Sequence, residues 1–415
     1  MIVNSTKYLY VNYCKSIELC LNEKDEQNMY LVLAGSILTG KDNKVIRSGA
    51  ILIENNCIVY IGEKRNIPKI NDKEIQIIDL TNFIVMPGLI DCHVHLAFDG
   101  SNSPVEHMKQ SSDKELFELM QKNAITLLDS GVTTVRDLGA RSYLDMEIKR
   151  MINNNEISGP NLLTSNRPIT SIDGHCWFMG GECKDIHDIK NIIEDHVSHE
   201  ADWIKIMASG GGLTEGTAMW EDQFSLQELT FTVEEAHKKN KRIAAHAHGT
   251  TSIKNVVKSN VDTIEHCTWV TKEGYLYNEE ATQQIIEKNI YVCPTINTKW
   301  KKNEKRKRER IPQLKEMYQK GVKFITGTDA GISNVPHSDY VDGMEAMQEM
   351  GMKNEEIIFA STLLAAKGLG IGEITGSLEV GKRADLIAVQ DNPYNNLSTL
   401  HRIEWIMVSG QIYKS

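Results

Sequence analysis

The segment PGLIDCHVHL, residues 87–96, closes an apolar run with two histidines two positions apart, and how it is read decides the reading of the whole chain. On a β-strand residues i and i+2 face the same side, so His93 and His95 can present both imidazoles to one cation. Taken alone, such a pair is as readily structural as metal-binding. Four further apolar runs close in the same manner. DWIKIMASGGG (202–212) carries Lys205, RIAAHAHGTT (242–251) carries His246 and His248, VDTIEHC (261–267) carries His266, and FITGTDAG (324–331) carries Asp329. An accidental set at so many strand ends is improbable, and an active-site reading gives each member a task.

Working outward, short apolar runs alternate with longer stretches of helical period. Candidate strands fall near 89–95, 132–138, 161–166, 203–208, 243–248, 262–267, 290–294 and 323–328. Helical segments are expected at 113–129, 142–154, 186–200, 226–240, 250–259, 279–288, 303–320 and 354–368. Eight strands each followed by a helix is the count of an α/β fold of the (β/α)8 TIM-barrel type, whose chemistry sits at the C-terminal strand ends. Outside this region MYLVLAGSILTG, GAILIENNCIVYIGE, GSLEVGKRADLIAVQ and IEWIMVSGQIYKS read as short strands with hairpin signals. The expected organisation is a barrel over 88–373, a composite β-sandwich domain from 29–87 and 374–415, and an N-terminal extension at 1–28 that is either poorly ordered or an artefact of start-codon choice.

The 415 residues, 41% hydrophobic and 25% charged, exclude a disordered, collagenous or coiled-coil chain. A net charge of -10, spread along the chain, gives no electrostatic footprint for nucleic acid or an anionic membrane, so a small-molecule substrate is expected. The one basic block, KWKKNEKRKRER (299–310), is interrupted by Glu304 and Glu309 and reads as a solvated helix face. The eight cysteines lack a CxxC pair and read as reduced thiols. With neither a signal peptide nor a membrane span in view, a cytoplasmic location is expected.

Lys205 shares a strand face with Trp203 and Met207. An ammonium there is costly unless it reaches the barrel mouth, pairs with a carboxylate, or loses its proton and takes up carbon dioxide as a bridging carbamate. Gly210, Gly211 and Gly212 would leave room for a substrate above it. Imidazoles with a carboxylate suit zinc first, then manganese, iron or cobalt.

With these motifs in hand, the chain from about Met29 onward resembles the metal-dependent amidohydrolase superfamily, in its imidazolonepropionase-like and prolidase-like branch. VMPGLIDCHVHL, TTVRDLG, the Gly174-His175 segment, DWIKIMASGGG, QFSLQEL, AAHAHG, DTIEHC, GTDAG and GSLEVGKRADLIAV carry the likeness, in the family's order. The resemblance implies two divalent metal ions, most readily zinc. His93 and His95 would hold the deeper ion, carboxylated Lys205 would bridge both, and His246 and His266 would hold the outer one. Asp329 would bind metal and handle protons, with His175 and His248 as substrate contacts. Relatives often form homo-oligomers, and the same is expected here.

The chemistry expected of such a site is hydrolysis of an amide C–N bond, in a dipeptide or N-acyl amino acid, by a metal-bridged hydroxide with Asp329 as proton shuttle. The rival readings are a cyclic amidase of the imidazolonepropionase type or a deaminase, relatives that generally lack the strand-four lysine, and a non-catalytic binding protein, which would have lost ligands. Arg136 and Asp137 are expected to form a structural ion pair beneath the site. Cys92 and Cys267, on the opposite strand face from their ligand neighbours, are expected to pack against helices. Glu182, Arg167, His337 and Tyr340 are candidates for substrate selection, and Trp177, Phe178 and Trp220 for an apolar wall.

Overall fold

The computed structural model describes residues 28–42, 44–69 and 75–415. Apart from Asn28, the expected N-terminal extension lies outside the described residues. The chain divides into two compact units, Met1–Leu89 with Thr362–Ser415, and Ile90–Ser361.

The first unit is built on a seven-stranded sheet to which both chain ends contribute. Its order is Gln411–Lys414, Trp405–Val408, Leu386–Val389, Gln76–Pro87, Met29–Leu38, Val45–Glu54 and Cys57–Glu63. The ends join where Leu386–Val389 runs antiparallel to residues 84–87. Asn55 and Asn56 turn the last of the N-terminal hairpins with φ of 47° and 67°, the left-handed pair that a two-residue hairpin favours. Alternation along the strands gathers Val32, Ile37, Ile51, Ile53 and Ile58 with Leu386, Ala388, Trp405 and Met407 into one apolar core. At Gly35 the register against Gln76–Pro87 shifts, and a Cβ there would stand 2.5 Å from the Thr81 carbonyl oxygen. Cys57 is disulfide-bonded, while Cys92, Cys176, Cys183, Cys267 and Cys293 are free and buried. The expectation of reduced thiols throughout is thus corrected at Cys57, because cysteine spacing along a sequence does not reveal which thiols are oxidised.

In the second unit parallel strands alternate with helices. Leu89–Val94, Val132–Asp137 and Asn161–Thr164 form one sheet, and Trp203–Met207, Arg242–Gly249, Thr263–Thr271, Tyr291–Cys293 and Lys323–Phe324 run parallel in another. A parallel bridge joins Ile169 to Ile206 and a second joins Val94 to Ala330. The strands are buried on both faces, with helices such as Asp113–Asp129, Ile186–Ser198 and Leu226–Lys238 packed over the sheets, the usual condition of parallel strands. Helix starts follow the local chemistry: Ser112 and Ser225 each cap with a glutamate three residues on.

Two elements differ from the sequence reading. The expected strand at 323–328 pairs as a ladder only at Lys323–Phe324. Its continuation turns instead toward the first strand, where Thr326 accepts from Cys92 N–H and the Asp329 N–H donates to His93 at 2.7 Å. The expected helix at 354–368 is two, Asn354–Ala360 and Leu363–Leu369. It breaks where the carbonyls of Ala360 and Ser361 accept from Thr326 N–H and Ile90 N–H rather than continuing a helical ladder.

The sheet core sets a stability expectation. Ile51→Ala, at a fully buried site, should cost about 2–5 kcal/mol in urea unfolding. A cost under about 1 kcal/mol would show that the sheet core does not pack as described.

Candidate metal centre

Six imidazoles and one carboxylate converge at the C-terminal ends of the parallel strands, delivered by several separate pieces of local structure. His93 and His95 lie on the same face of the first strand, as alternation requires, with ring centroids 5.3 Å apart. Asp91 braces that strand end by accepting from His93 N–H and Thr328 N–H, both at 3.1 Å, and from the Thr328 hydroxyl at 2.6 Å. Asp329 follows at once, with φ of +60°, a left-handed conformation that an aspartate tolerates and that turns its carboxylate inward. Its Oδ1 stands 3.4 Å from His93 Nε2 and 3.3 Å from His95 Nε2. His266 takes a left-handed φ of +69°. Such backbone conformations concentrate at functional sites, where the surrounding packing holds them.

The remaining rings complete the cluster. His246 lies 4.6 Å from both His248 and His266, His248 stacks on His266 at 4.4 Å, and His175 lies 4.7 Å from His246. The ring atoms of His246, His248 and His266 can meet around one ion, and so can those of His93, His95 and Asp329. The structure thus brings together His93, His95, His175, His246, His248, His266 and Asp329, seven of the residues that the sequence reading named for a metal centre.

Hydrogen bonds fix which nitrogen each ring offers. His93 Nδ1 faces Glu265 Oε2 at 2.9 Å, His95 Nδ1 faces the Gly139 carbonyl at 3.4 Å, and His246 Nε2 faces the Gly210 carbonyl at 3.1 Å. Each of these acceptors takes an N–H, so the opposite ring nitrogen keeps a free lone pair. His266 Nδ1 and His248 Nδ1 pair with the hydroxyls of Thr295 and Thr268, at 2.8 and 3.0 Å. Burial favours the neutral form of His93, His246, His248 and His266, the form that binds metal. It lowers His93 to about 4, with the Lys205 charge adding to the effect, and His246, His248 and His266 well below the usual imidazole range.

Lys205 is the outlier. Its side chain is 1% exposed, and its amine has no hydrogen-bond partner. Burial lowers its pKa to about 8, so the neutral amine is accessible near neutral pH. Its charge acts on His93, His175, His246, His266 and Asp329, which places it among them electrostatically. An orphaned buried amine, neutral imidazoles with free lone pairs and an ionised aspartate together make a donor set that fits divalent cations. Against the cost of burial, His93, His95 and Lys205 hold the Asp329 carboxyl well below the ordinary carboxylate range.

Several expectations change. Arg136 does not pair with Asp137, because neighbours on a strand face opposite sides. Arg136 instead reaches Glu265 at 2.8 Å, Thr263 at 3.1 Å and the Cys92 carbonyl at 2.8 Å, with its guanidinium carbon 4.3 Å from the Trp203 ring centre. Asp137 accepts from Leu96 N–H and Gly139 N–H, and burial raises its pKa to about 7. Gly211 makes room for His175 rather than for substrate, since a Cβ there would fall 2.4 Å from His175 Nε2. At Gly210 the close neighbour is the Ala218 carbonyl oxygen, at 2.3 Å. His337 is buried and faces the His95 carbonyl at 3.2 Å, Tyr340 donates to the Ile90 carbonyl, and Arg167 pairs with Asp195. Glu182 accepts from Asp173 N–H. Trp177 and Trp220 are exposed, and Lys109 lies over the rings of Trp177 and Phe178.

Two residues with tasks at this site escaped the sequence reading. Glu265 sits inside the quoted VDTIEHC, where a carboxylate within an apolar strand was the available signal. Against the cost of burial, Arg136 and the hydrogen bond to His93 keep it ionised. Gln223 opens the quoted QFSLQEL, accepts from His175 N–H and donates to the Met207 carbonyl at 2.7 Å, tying the His175 loop to the Lys205 strand. Nothing in its local sequence announces that bridge.

The comparisons follow the geometry. A family model described as "Amidohydrolase family" matches residues 84–413. The ochratoxinase of Aspergillus niger is 24% identical, over 95% of this chain and 89% of that protein. The imidazolonepropionase of Clostridium tetani is 23% identical, over 90% of this chain and 93% of that protein. Among solved structures, a Xaa-Pro dipeptidase with methionine bound in its active site superposes with a TM-score of 0.84 at 28% identity, covering 94% of this chain and all of that one (100%). The A. niger ochratoxinase structure gives 0.82 at 23% identity, covering 94% and 96%, and shares the fold. Among the described residues no helix is long and apolar enough to cross a membrane.

A pH dependence follows from the buried rings. His196 and His337 are lowered to about 4 by burial, as is His93, and His175 to about 3, while His246, His248 and His266 are also lowered. Between pH 4 and 6.5 the unfolded chain binds more protons at these histidines, so their contribution is full above pH 6.5 and is lost as pH falls. Asp91 and Asp137, raised to about 7 by burial, and Asp145 and Asp222, also raised by it, act in the opposite sense but are fewer. Metal-free protein should therefore gain unfolding free energy from pH 4 to 6.5, by about 1.4 kcal/mol per pH unit for each imidazole in excess. A flat or falling profile in urea titrations would contradict this account of the cluster.

Proposed function

The chain belongs to the amidohydrolase family and is a hydrolase acting on carbon–nitrogen bonds, and from that premise we propose that it cleaves an acyclic amide, in a dipeptide or N-acyl amino acid, at the histidine cluster. Lys205 is the observation that carries this reading: a buried, unpartnered amine among ligand-type side chains has no structural task there but a chemical one. The scaffold in this reading is a closed (β/α)8 barrel, supported by the Val94–Ala330 and Ile169–Ile206 bridges, with a β-sandwich in the other unit, supported by the seven-stranded sheet to which both chain ends contribute.

His93, His95, Lys205, His246, His266 and Asp329 would hold two divalent cations, zinc first by their donor set, which when bound would lower the pKa of water and polarise the scissile carbonyl. Before that, the neutral Lys205 amine attacks carbon dioxide, forming an N–C bond and releasing a proton, and so becomes an anionic carbamate with two oxygens. Asp329, ionised and placed between His93 and His95, accepts the proton of the attacking water and passes it to the leaving nitrogen, which is too basic to depart as an anion. His175 and His248 contact the substrate, and an N–H from a neutral ring steadies the oxyanion of the tetrahedral intermediate. Glu265 and Arg136 keep His93 in one tautomer throughout.

Zinc- or manganese-loaded protein should turn over members of dipeptide or N-acyl amino acid libraries, with imidazolone propionate and other cyclic amides alongside as the competing class. Turnover confined to the cyclic class would transfer the reading to the imidazolonepropionase-like alternative. On an active substrate, Asp329→Asn should keep its fold and metal content while kcat falls by about 10²–10⁴-fold. A near wild-type rate would remove Asp329 from proton transfer. Omitting bicarbonate during metal reconstitution should depress recovery of activity. Recovery indifferent to bicarbonate, with one metal per chain, would speak against a carbamate at Lys205.

A further inference from the structure

The basic block of the sequence is not wholly the solvated face expected of it. The helix Glu304–Lys320 carries Arg306 and Arg310 one turn apart, and residues four apart share a helix face. That face turns inward: Arg310 is 2% exposed and Arg306 is partly buried. Their guanidinium carbons lie 5.0 and 5.5 Å from the ring centre of Trp300, itself fully buried. Arg310 Nη2 donates to the carbonyl of His266 at 3.1 Å, and its Nε has no partner.

The contrast with their neighbours is chemical. Lys301 pairs with Asp342 and Glu345, Lys305 with Glu309, and Lys307 with Glu304 and Glu349. Among the described residues neither arginine has a carboxylate within 4.0 Å. Stacking on one tryptophan offsets part of the cost of two adjacent, largely desolvated cations but supplies no carboxylate to either guanidinium. Both charges act on His248, and the Asp329 carboxylate acts on Arg306, so the pair lies within electrostatic reach of the histidine cluster.

We propose that Arg306 and Arg310 form a carboxylate subsite of this centre, which selects substrates bearing a free carboxylate near the scissile amide over their neutral counterparts. Guanidinium suits this task because its planar fork meets a carboxylate through two parallel N–H bonds. The proposal rests on the amide-hydrolase reading for what is cleaved, but not for what is bound.

The test separates the two. Calorimetry on metal-loaded protein uses 3-phenylpropanoate and 3-phenylpropan-1-ol, which differ in the carboxylate and contain no amide. The acid should bind at least about 10-fold tighter than the alcohol, and Arg306→Gln should weaken the acid by about 10–100-fold while moving the alcohol little. Arg306→Lys, which keeps the charge, should retain most of the acid's affinity. With an N-acetyl amino acid and its carboxamide as substrates, Arg306→Gln should raise KM for the free acid more than it lowers kcat, and raise KM for the carboxamide by a smaller factor. Unchanged acid binding in Arg306→Gln, or equal loss of acid and alcohol in both variants, would overturn the subsite. If acid binding depends on Arg306 while no amide is hydrolysed, the subsite stands and the amide-hydrolase reading falls.

Discussion

The desolvation of the Lys205 amine is the constraint to which the centre is fitted. A protonated lysine without hydrogen bonds at full burial is costly, and here the cost is met by shifting its pKa toward neutrality rather than by pairing. The same burial keeps the surrounding imidazoles neutral, so one physical term prepares both the amine and the rings. The exceptions are Asp329 and Glu265, which stay ionised against burial because cationic and hydrogen-bonding groups face them.

Orientation comes from outside the ligand set. Arg136, buried and stacked on Trp203, spans from the Cys92 carbonyl to Glu265, and Glu265 in turn holds His93. A buried ion pair of this kind contributes little net stability, since desolvation cancels much of its attraction. What it supplies is a fixed tautomer and ring plane. His337 and Asp91 brace the same strand end through the His95 carbonyl and the His93 N–H. Gly211 shows the same economy of space, leaving a side chain's volume to the His175 ring.

Much of this was legible beforehand. The period-two pairs at His93 and His95 and at His246 and His248, a lysine inside an apolar run at Lys205, and the placement of His266 and Asp329 at the close of apolar runs are local signals, and the structure gathers the histidines and Asp329. Arg136 went to Glu265 rather than Asp137 although strand alternation already placed the two on opposite faces; its partner lies 129 positions away. The basic block was read by composition, which counts charges but cannot say which of them turn inward at Arg306 and Arg310. The helix break after Ala360 depended on carbonyls claimed by Thr326 and Ile90, distant donors that helical propensity does not see.

What the sequence by itself determined is the kind of residue at each strand end and the face it occupies, because periodicity along one segment is dictated by backbone geometry alone. The tertiary structure decided which nitrogen a histidine offers, which carboxylates stay ionised, where a glycine makes space, and which arginines turn inward away from a carboxylate. Each of these depends on a hydrogen-bond acceptor, a charge or a volume contributed by a segment remote in the chain. Such pairings exist only once the strands and helices are packed together.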